Sequence, residues 1–326
     1  MILVTGGAGF IGSNLVAALC GRGGEVVICD RLRSNEKWRN VAKHGFRDLV
    51  PPESVLEWLR SRNDVEAVVH LGAISSTTAT DADLVFDVNV RYSAALWSAC
   101  AERGVRFIYA SSGATYGDGA KGFDDDPQPA ALAGLRPLNA YGWSKHYFDR
   151  RVLAAVAAGQ ARPPQWVGLK FFNVYGPNEY HKGAMQSVVA QKFPLVASGS
   201  PVTLFRSHHP DFEDGGQLRD FVYVDDCVRV ITWLLDTPGV CGLFNLGSGQ
   251  ARSFRDLALA IGAAAGRRVE LEYIPTPESI RPNYQYFTQA RIERLRAAGF
   301  VEPFTSLEEG VRRYVQGYLA SGDRYR

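Results

Sequence analysis

The first thirty residues, Met1 to Asp30, limit the fold more than any other stretch of the chain. Ile2-Leu3-Val4 is a short apolar run suited to a buried strand, and it breaks into Thr5-Gly6-Gly7-Ala8-Gly9-Phe10-Ile11-Gly12. Ile11, Leu15, Val16 and Leu19 then share one face at helical spacing. After Gly23-Gly24, Glu25 to Cys29 reads as a second strand, and Asp30 stands at its tip. Strand, glycine turn, helix, strand and acid, in that order, is the context that a dinucleotide-binding fingerprint requires. Gly6, Gly9 and Gly12 let the backbone turn sharply and approach a pyrophosphate, and the helix N-terminus supplies N–H groups and a positive dipole end. Asp30 is placed to accept hydrogen bonds from a ribose.

The pattern continues as alternating strand and helix. Phe46–Leu49 and Val65–His70 read as the third and fourth strands. The fourth ends in the small-residue turn Leu71-Gly72-Ala73-Ile74-Ser75-Ser76, where backbone can pass close to a cofactor. A helix is predicted from Asp83 to Arg103, with Leu84, Val88, Tyr92, Ala95 and Ala99 on its buried face. Asn89, within it, either grips a turn or is solvated. Val105–Ala110 is the fifth strand and Trp166–Val174 the sixth, with a helix opened by Asn139 to Lys145 between them. Past Tyr175 the rhythm is lost: a helical pattern over Gly183–Ser198, a strand at Arg219–Val224, a helix at Asp225–Leu235, then shorter elements. This is an α/β chain, a Rossmann-type doubly wound parallel sheet with a smaller α+β substrate-binding lobe. The expected division is 1–174 with 219–248 for the nucleotide-binding domain and 175–218 with 249–326 for the lobe.

Bulk properties exclude several classes. A net charge of +2 without any basic block offers no nucleic-acid surface. No charged leader precedes an apolar stretch and no apolar run is long enough to span a bilayer, so a cytoplasmic protein without a membrane partner is expected. Cys20, Cys29, Cys100, Cys227 and Cys241 lie far apart and read as free thiols. His208, His209, Asp211, Glu213 and Asp214 lack regular ligand spacing and read as a polar surface loop, so no metal is expected. There is no Walker-type loop and no GxSxG elbow.

The chemistry is carried by spacing. Tyr141 and Lys145 are four apart at the start of a helix and leave it on one face. A Lys ammonium beside a phenol stabilises the phenolate, which makes Tyr141 a usable general base, and Lys145 can also reach a cofactor ribose. Ser112, at the end of the fifth strand, would hydrogen-bond the substrate oxygen. The basic loop Arg31 to Trp38, with Arg31 and Lys37, either holds a 2′-phosphate, favouring NADP over the NAD that Asp30 alone would select, or is merely solvated.

Gly6, Gly9 and Gly12, then Ser112, then Tyr141 and Lys145 fit the GxxGxxG, serine and YxxxK of the extended short-chain dehydrogenase/reductase family, which the chain resembles over nearly its whole length. Arg219 to Asp226 and Phe244-Asn245-Leu246-Gly247 fit its sugar-nucleotide branch. The dehydratases of that branch carry Thr-Asp-Glu-Val-Tyr-Gly after the fifth strand, whereas this chain has Ser112-Gly113-Ala114-Thr115-Tyr116-Gly117 and lacks both acids. His181-Lys182-Gly183, Lys37, Ala110 to Gly117 and Tyr284 to Gln289 are similar to the ADP-glyceromanno-heptose 6-epimerases.

That resemblance implies inversion at C6 of an ADP-linked heptose for lipopolysaccharide core synthesis. Enzyme-bound NADP would take the C6 hydride and return it to the other face, with Tyr141 and Lys182 as the two acid/base groups. Without the resemblance, Lys182 reads first as a phosphate-binding or solvated loop lysine. By the same resemblance Phe10, Ile11, Asp30, Arg31, Lys37, Leu71, Gly72, Ala73, Ile74, Ser75, Asn89, Lys145, Val174 and Lys182 would line the cofactor. Asn173, Ala184, Gln191, Phe205, Arg206, Ser207, His208, Arg219 and Tyr284 would line the ADP-sugar, Arg219 as the diphosphate candidate. It also implies a homo-oligomer, usually a pentamer. Two other readings stand beside it: a reductase or dehydrogenase of the same fold that consumes its cofactor, and a non-catalytic dinucleotide sensor, against which Ser112, Tyr141 and Lys145 count.

Overall fold

The computed structural model describes residues 1–33, 36–278, 281 and 284–326. Ser34 and Asn35 of the basic loop lie outside the described residues. The strands are β1 (Ile2–Thr5), β2 (Val26–Cys29), β3 (Asp48–Val50), β4 (Ala67–His70), β5 (Arg106–Ser112), β6 (Trp166–Phe171), β7 (Asn173–Tyr175), β8 (Val202–Phe205), β9 (Leu218–Tyr223), β10 (Gly242–Leu246), β11 (Ala251–Ser253) and β12 (Leu271–Ile274).

Seven of them form one parallel sheet in the order β10-β6-β5-β4-β1-β2-β3. Its strands are continuous apolar runs because both faces are covered. Side chains alternate across it, so Leu3 and Val4 point to opposite cores. Val4 meets Leu15 and Val16 of the helix Phe10–Gly21 together with Ile231 and Leu235 of the helix Val224–Asp236. Leu3 meets Leu96 and Trp97 of the helix Tyr92–Arg103 and Phe148 and Val152 of the helix Ala140–Ala157. Each fully buried leucine of this kind contributes about 1.5–3 kcal/mol. The chain runs outward from β1 to β3, crosses back, and builds from β4 to the other edge. The order therefore reverses between β1 and β4, where a crevice opens at the strand ends.

The sixth predicted strand is two strands. Phe172 donates its N–H to the Leu246 carbonyl at 3.0 Å, and Val174 then pairs with Val222 in a separate three-stranded sheet, β11-β9-β7. That sheet packs with the helices Val188–Ser198, Phe254–Ala265 and Leu307–Tyr314 around Val189, Leu257 and Val311. The helix predicted from Gly183 starts only at Val188, because Gly183 sits at φ +55° and Ser187 caps the first turn. The predicted Asp83–Arg103 helix is broken by a π turn at Asp87–Arg91. Its buried face carries Val85, Asn89, Ser93 and Leu96, and Leu84 is 51% exposed. No helix among the described residues is long and apolar enough to cross a membrane.

Candidate active site

The glycine turn lies in the crevice between β1 and β4. A Cβ on Gly6, whose φ is +66°, would stand 2.7 Å from the Gly72 nitrogen, and one on Gly12 would stand 2.1 Å from the Gly6 carbonyl oxygen. Gly6 thus lets two strand ends approach, and Gly12 lets the helix sit against the turn. The helix begins at Gly9 with no side-chain cap, which leaves its first N–H groups for a ligand. Asp30 accepts the Ala8 N–H at 2.9 Å and pairs with the Lys37 ammonium. These features fit the pyrophosphate and ribose of a dinucleotide. Gly12→Ala is expected to abolish nucleotide binding and to cost about 1–3 kcal/mol of stability through overpacking, read by nucleotide titration and urea unfolding.

A cavity of about 530 Å³ opens from this turn toward the small sheet. Of the residues expected at the cofactor, Gly6, Gly9, Phe10, Ile11, Gly12, Asp30, Lys37, Leu71, Gly72, Ala73, Ser75, Lys145, Val174 and Lys182 are on its wall. Ser112, Tyr141 and Asn173 are there too. Three expected cofactor residues are not. Arg31 turns outward to the Glu53 carboxylate, its Nε donating at 3.0 Å. Asn89 is fully buried, accepting the Ile74 N–H and donating to the Ile74 carbonyl, each at 2.9 Å, and to Ser144 Oγ at 3.0 Å. It grips the Leu71–Ser75 turn from behind and ties it to the catalytic helix, and Ile74 is engaged in that grip.

Ser112 ends β5, with its hydroxyl accepting the Ala114 N–H at 3.1 Å and near enough to the Tyr141 phenol to favour its ionised form. Tyr141 and Lys145 come from the first turns of the helix Ala140–Ala157, which Asn139 caps by accepting the Gly142 N–H. The expected lowering of the Tyr141 phenol does not hold. Burial raises it above the ordinary range, the Ser112 bond opposes, and the Asp149 carboxylate adds to the rise. Lys145 is itself pushed down to about 8 by burial, against the pull of Asp149.

Lys182 also lines the cavity. Its ammonium stands 5.0 Å from the Phe10 ring centroid, and burial lowers it from the usual lysine range while Glu179 opposes. Glu179 is fully buried and accepts both the backbone and the hydroxyl of Ser187. It holds the Tyr180–Met185 turn that carries Lys182.

The expected substrate contacts fall mostly outside the cavity. Arg219 is buried between the Phe254 and Tyr284 rings, 5.5 and 5.4 Å from their centroids, and donates to the Leu218 and Gln285 carbonyls. Phe205 packs on Tyr284 at 6.2 Å, and this cluster touches the cavity through Phe254. Gln191 donates to the Ala184 and Gln186 carbonyls, bracing the loop below Lys182 rather than facing a ligand. Arg206 and His208 are exposed, and Ser207 is bonded within its own loop to Asp214 and His209. Spacing missed His181, Gln186, Ser187, Phe254 and Leu257, which are on the wall. The β6–β7 step and the small sheet bring them there, and neither leaves a local signature.

The NAD dependent epimerase/dehydratase family pattern matches residues 2–247. A relative from Nitratidesulfovibrio vulgaris named ADP-L-glycero-D-manno-heptose-6-epimerase is 48% identical, over 100% of both chains. One from Fusobacterium nucleatum with the same name is 45% identical, again over 100% of both. The crystal structure of Helicobacter pylori ADP-L-glycero-D-manno-heptose-6-epimerase superposes with a TM-score of 0.79 at 28% identity, covering 97% of this chain and 95% of that one. UDP-glucose 4-epimerase of Thermus thermophilus, solved with NAD, superposes with a TM-score of 0.74 at 30% identity, covering 97% of each.

Proposed function

The chain belongs to the NAD dependent epimerase/dehydratase family, and on that premise we propose that it inverts C6 of ADP-D-glycero-D-manno-heptose to give ADP-L-glycero-D-manno-heptose, a precursor of the lipopolysaccharide core. The observation that carries this reading is that Tyr141 and Lys182, from distant parts of the chain, line one cavity together with the glycine turn, in a chain nearly half identical to heptose epimerases over its full length.

C6 is an unactivated carbinol carbon, so its inversion needs hydride removal and return on opposite faces. A bound nicotinamide dinucleotide supplies the hydride acceptor and donor. The chain supplies the proton transfers. Tyr141, on the cavity wall with Ser112, takes or gives the C6 hydroxyl proton in one sugar orientation, and Lys182 does so in the other. Burial lowers the Lys182 amine from the usual lysine range, the direction that favours its giving up a proton, while Glu179 opposes. Lys145 anchors the cofactor ribose. Asn173 lines the cavity beside Ser112 and Tyr141, on the side where the sugar would lie. Residues 1–174 with 219–248 bind the cofactor and 175–218 with 249–326 the ADP-sugar.

The preferred cofactor is NADP, with NAD as the alternative through Asp30. Lys37 lies beside that acid, and the Arg31–Glu53 pair is half-exposed, so it opens at little cost to meet a 2′-phosphate. The protein acts in the cytoplasm, in keeping with five free cysteines. It works as a homo-oligomer, for which the exposed Leu84, Trp143 and Tyr147 offer an apolar surface. The deciding experiment incubates the purified protein with ADP-D-glycero-D-manno-heptose and follows C6 by NMR. Inversion without added nucleotide is expected, with NADP released on denaturation. No inversion, or stoichiometric consumption of added nucleotide, overturns the reading.

A further inference from the structure

Two loops flank the cofactor end of the cavity and come from distant parts of the chain. One is Glu36–Lys43, which carries Lys37, and the other is Asn178–Lys182, which carries His181 and Lys182. They touch directly: Asn40 donates to His181 Nδ1 at 3.2 Å, and Asn178 donates to the Asn40 carbonyl at 3.3 Å. A third segment, Asp323–Arg326, lies across both on the outside. Toward the first loop, Lys43 donates to the Tyr325 carbonyl at 2.6 Å and pairs with Asp323, while the Tyr325 hydroxyl donates to Glu36 at 3.2 Å. Toward the second, the Tyr180 hydroxyl donates to the Arg324 carbonyl at 2.7 Å, and the Arg324 guanidinium lies 3.7 Å from the Tyr180 ring centroid. Tyr180 and Tyr325 meet edge to face at 5.4 Å. The Arg326 N–H donates to Asn178 Oδ1 at 2.9 Å. Its guanidinium donates to Asn14 of the dinucleotide helix at 3.2 Å and pairs with Asp225.

We propose that Asp323–Arg326 is a strap that staples the Lys37 loop to the Lys182 loop, so that it sets how long the nucleotide stays bound and holds Lys182 against the site. This rests on the reading that the cofactor is recycled and not exchanged at each turnover. The physical case is connectivity. Lys37 and Lys182 both line the cavity, so separating their loops widens the way out for a dinucleotide, and among the described residues the Asn40–His181 and Asn178–Asn40 bonds that join the loops directly are both neutral. The strap adds charge-assisted and aromatic contacts to both walls, and it reaches the helix whose N-terminus faces the pyrophosphate. Tyr325 and Arg326 lie outside every strand and helix, so changing them leaves the seven-stranded sheet and its hydrogen bonds intact.

The test uses the full chain with Tyr325→Ala and Arg326→Ala combined, and separately Tyr180→Phe, which removes the hydroxyl that donates to the Arg324 carbonyl. NADPH fluorescence after dilution into excess NADP gives the dissociation rate, and hydrogen–deuterium exchange of the stripped protein reads residues 36–43 and 178–182. The double variant is expected to lose nucleotide roughly tenfold faster, the energy of one or two such contacts, with faster exchange in both loops and an unchanged melting transition. Tyr180→Phe is expected to give a smaller change of the same sign. A dissociation rate within twofold of the parent in the double variant overturns the proposal, whatever the exchange shows. Neither readout needs the sugar. Faster dissociation in a protein that fails to invert ADP-heptose therefore leaves the strap standing and removes only the substrate assignment.

Discussion

Tyr141→Phe and Lys182→Met are each expected to reduce C6 inversion by about 10²–10⁴-fold while the protein stays folded and keeps its nucleotide. Both groups are needed because the hydride leaves one face and returns to the other, and a single proton donor cannot serve both sugar orientations. Phe at 141 keeps the ring and removes the hydroxyl that would exchange the proton. Met at 182 keeps the aliphatic reach over Phe10 and removes the ammonium. Neither change opens a core cavity, so the urea midpoint should move little. The two losses should not multiply, because a site that has lost one acid/base group already fails to complete the cycle. NMR of the C6 proton gives the rate, and bound-nucleotide absorbance shows whether the site is still loaded. Near-normal turnover in Lys182→Met sinks the two-base mechanism and returns Lys182 to the role of a loop cation. Loss of nucleotide in either variant assigns the defect to binding instead.

The sequence carries the doubly wound half of this protein because its elements are local. A strand, a glycine turn and a helix follow one another within Met1–Gly21, and the YxxxK pair needs only one helical turn to bring Tyr141 and Lys145 onto one face. Long-range geometry was not legible. The run Trp166–Val174 reads as one strand, yet Phe172 is where the chain changes sheets, a step decided by which neighbour offers a hydrogen bond. The expected buried face of the Asn89 helix holds at Ala99 but misses at Leu84, where Val85 turns inward instead, and the π turn at Asp87–Arg91 interrupts the regular spacing between them. Arg31 is a plausible phosphate ligand until Glu53, twenty-two residues on, is seen to take it. Arg219 reads as a diphosphate clamp, but two backbone carbonyls and two rings already occupy it. Spacing also points to Lys145 as the group that tunes Tyr141, whereas burial sets the sign of that shift. Desolvation depends on every neighbour at once, so no pairwise spacing reveals it.

Lys170→Met is expected to destabilise the protein by roughly 3–5 kcal/mol, since it leaves a buried carboxylate without its cation. Lys170 and Asp149 are both 0% exposed and pair at 2.8 Å behind the catalytic helix. The Lys170 ammonium also donates to Thr115 Oγ1 at 2.7 Å and lies 5.0 Å from the Tyr116 ring centroid. The Asp149 carboxylate accepts from the Tyr109 hydroxyl at 3.1 Å and from Ser111 Oγ at 2.6 Å. The pair is poor evidence of net stabilisation, because desolving two charges cancels much of their attraction. Its single variants are costly for a different reason: each strands the other charge. Lys170→Met combined with Asp149→Leu should therefore lose much less than the sum of the two single changes, and urea unfolding of all three variants gives that coupling directly. Additive losses, or a cost below about 1 kcal/mol for Lys170→Met alone, would show that water or a neighbour already neutralises the site. The pair also bears on the chemistry. Tyr141, Lys145 and Asp149 follow one another at four-residue intervals on one helix face, and Ser111 and Thr115 bracket Ser112. A network that joins Asp149 to Ser111, and through Lys170 to Thr115, fixes the helix of the general base against the strand end that holds its serine. The double variant should thus recover stability before it recovers turnover, because apolar packing replaces the buried charges without restoring the hydrogen bonds that tie the Tyr141 helix to the strand end carrying Ser112.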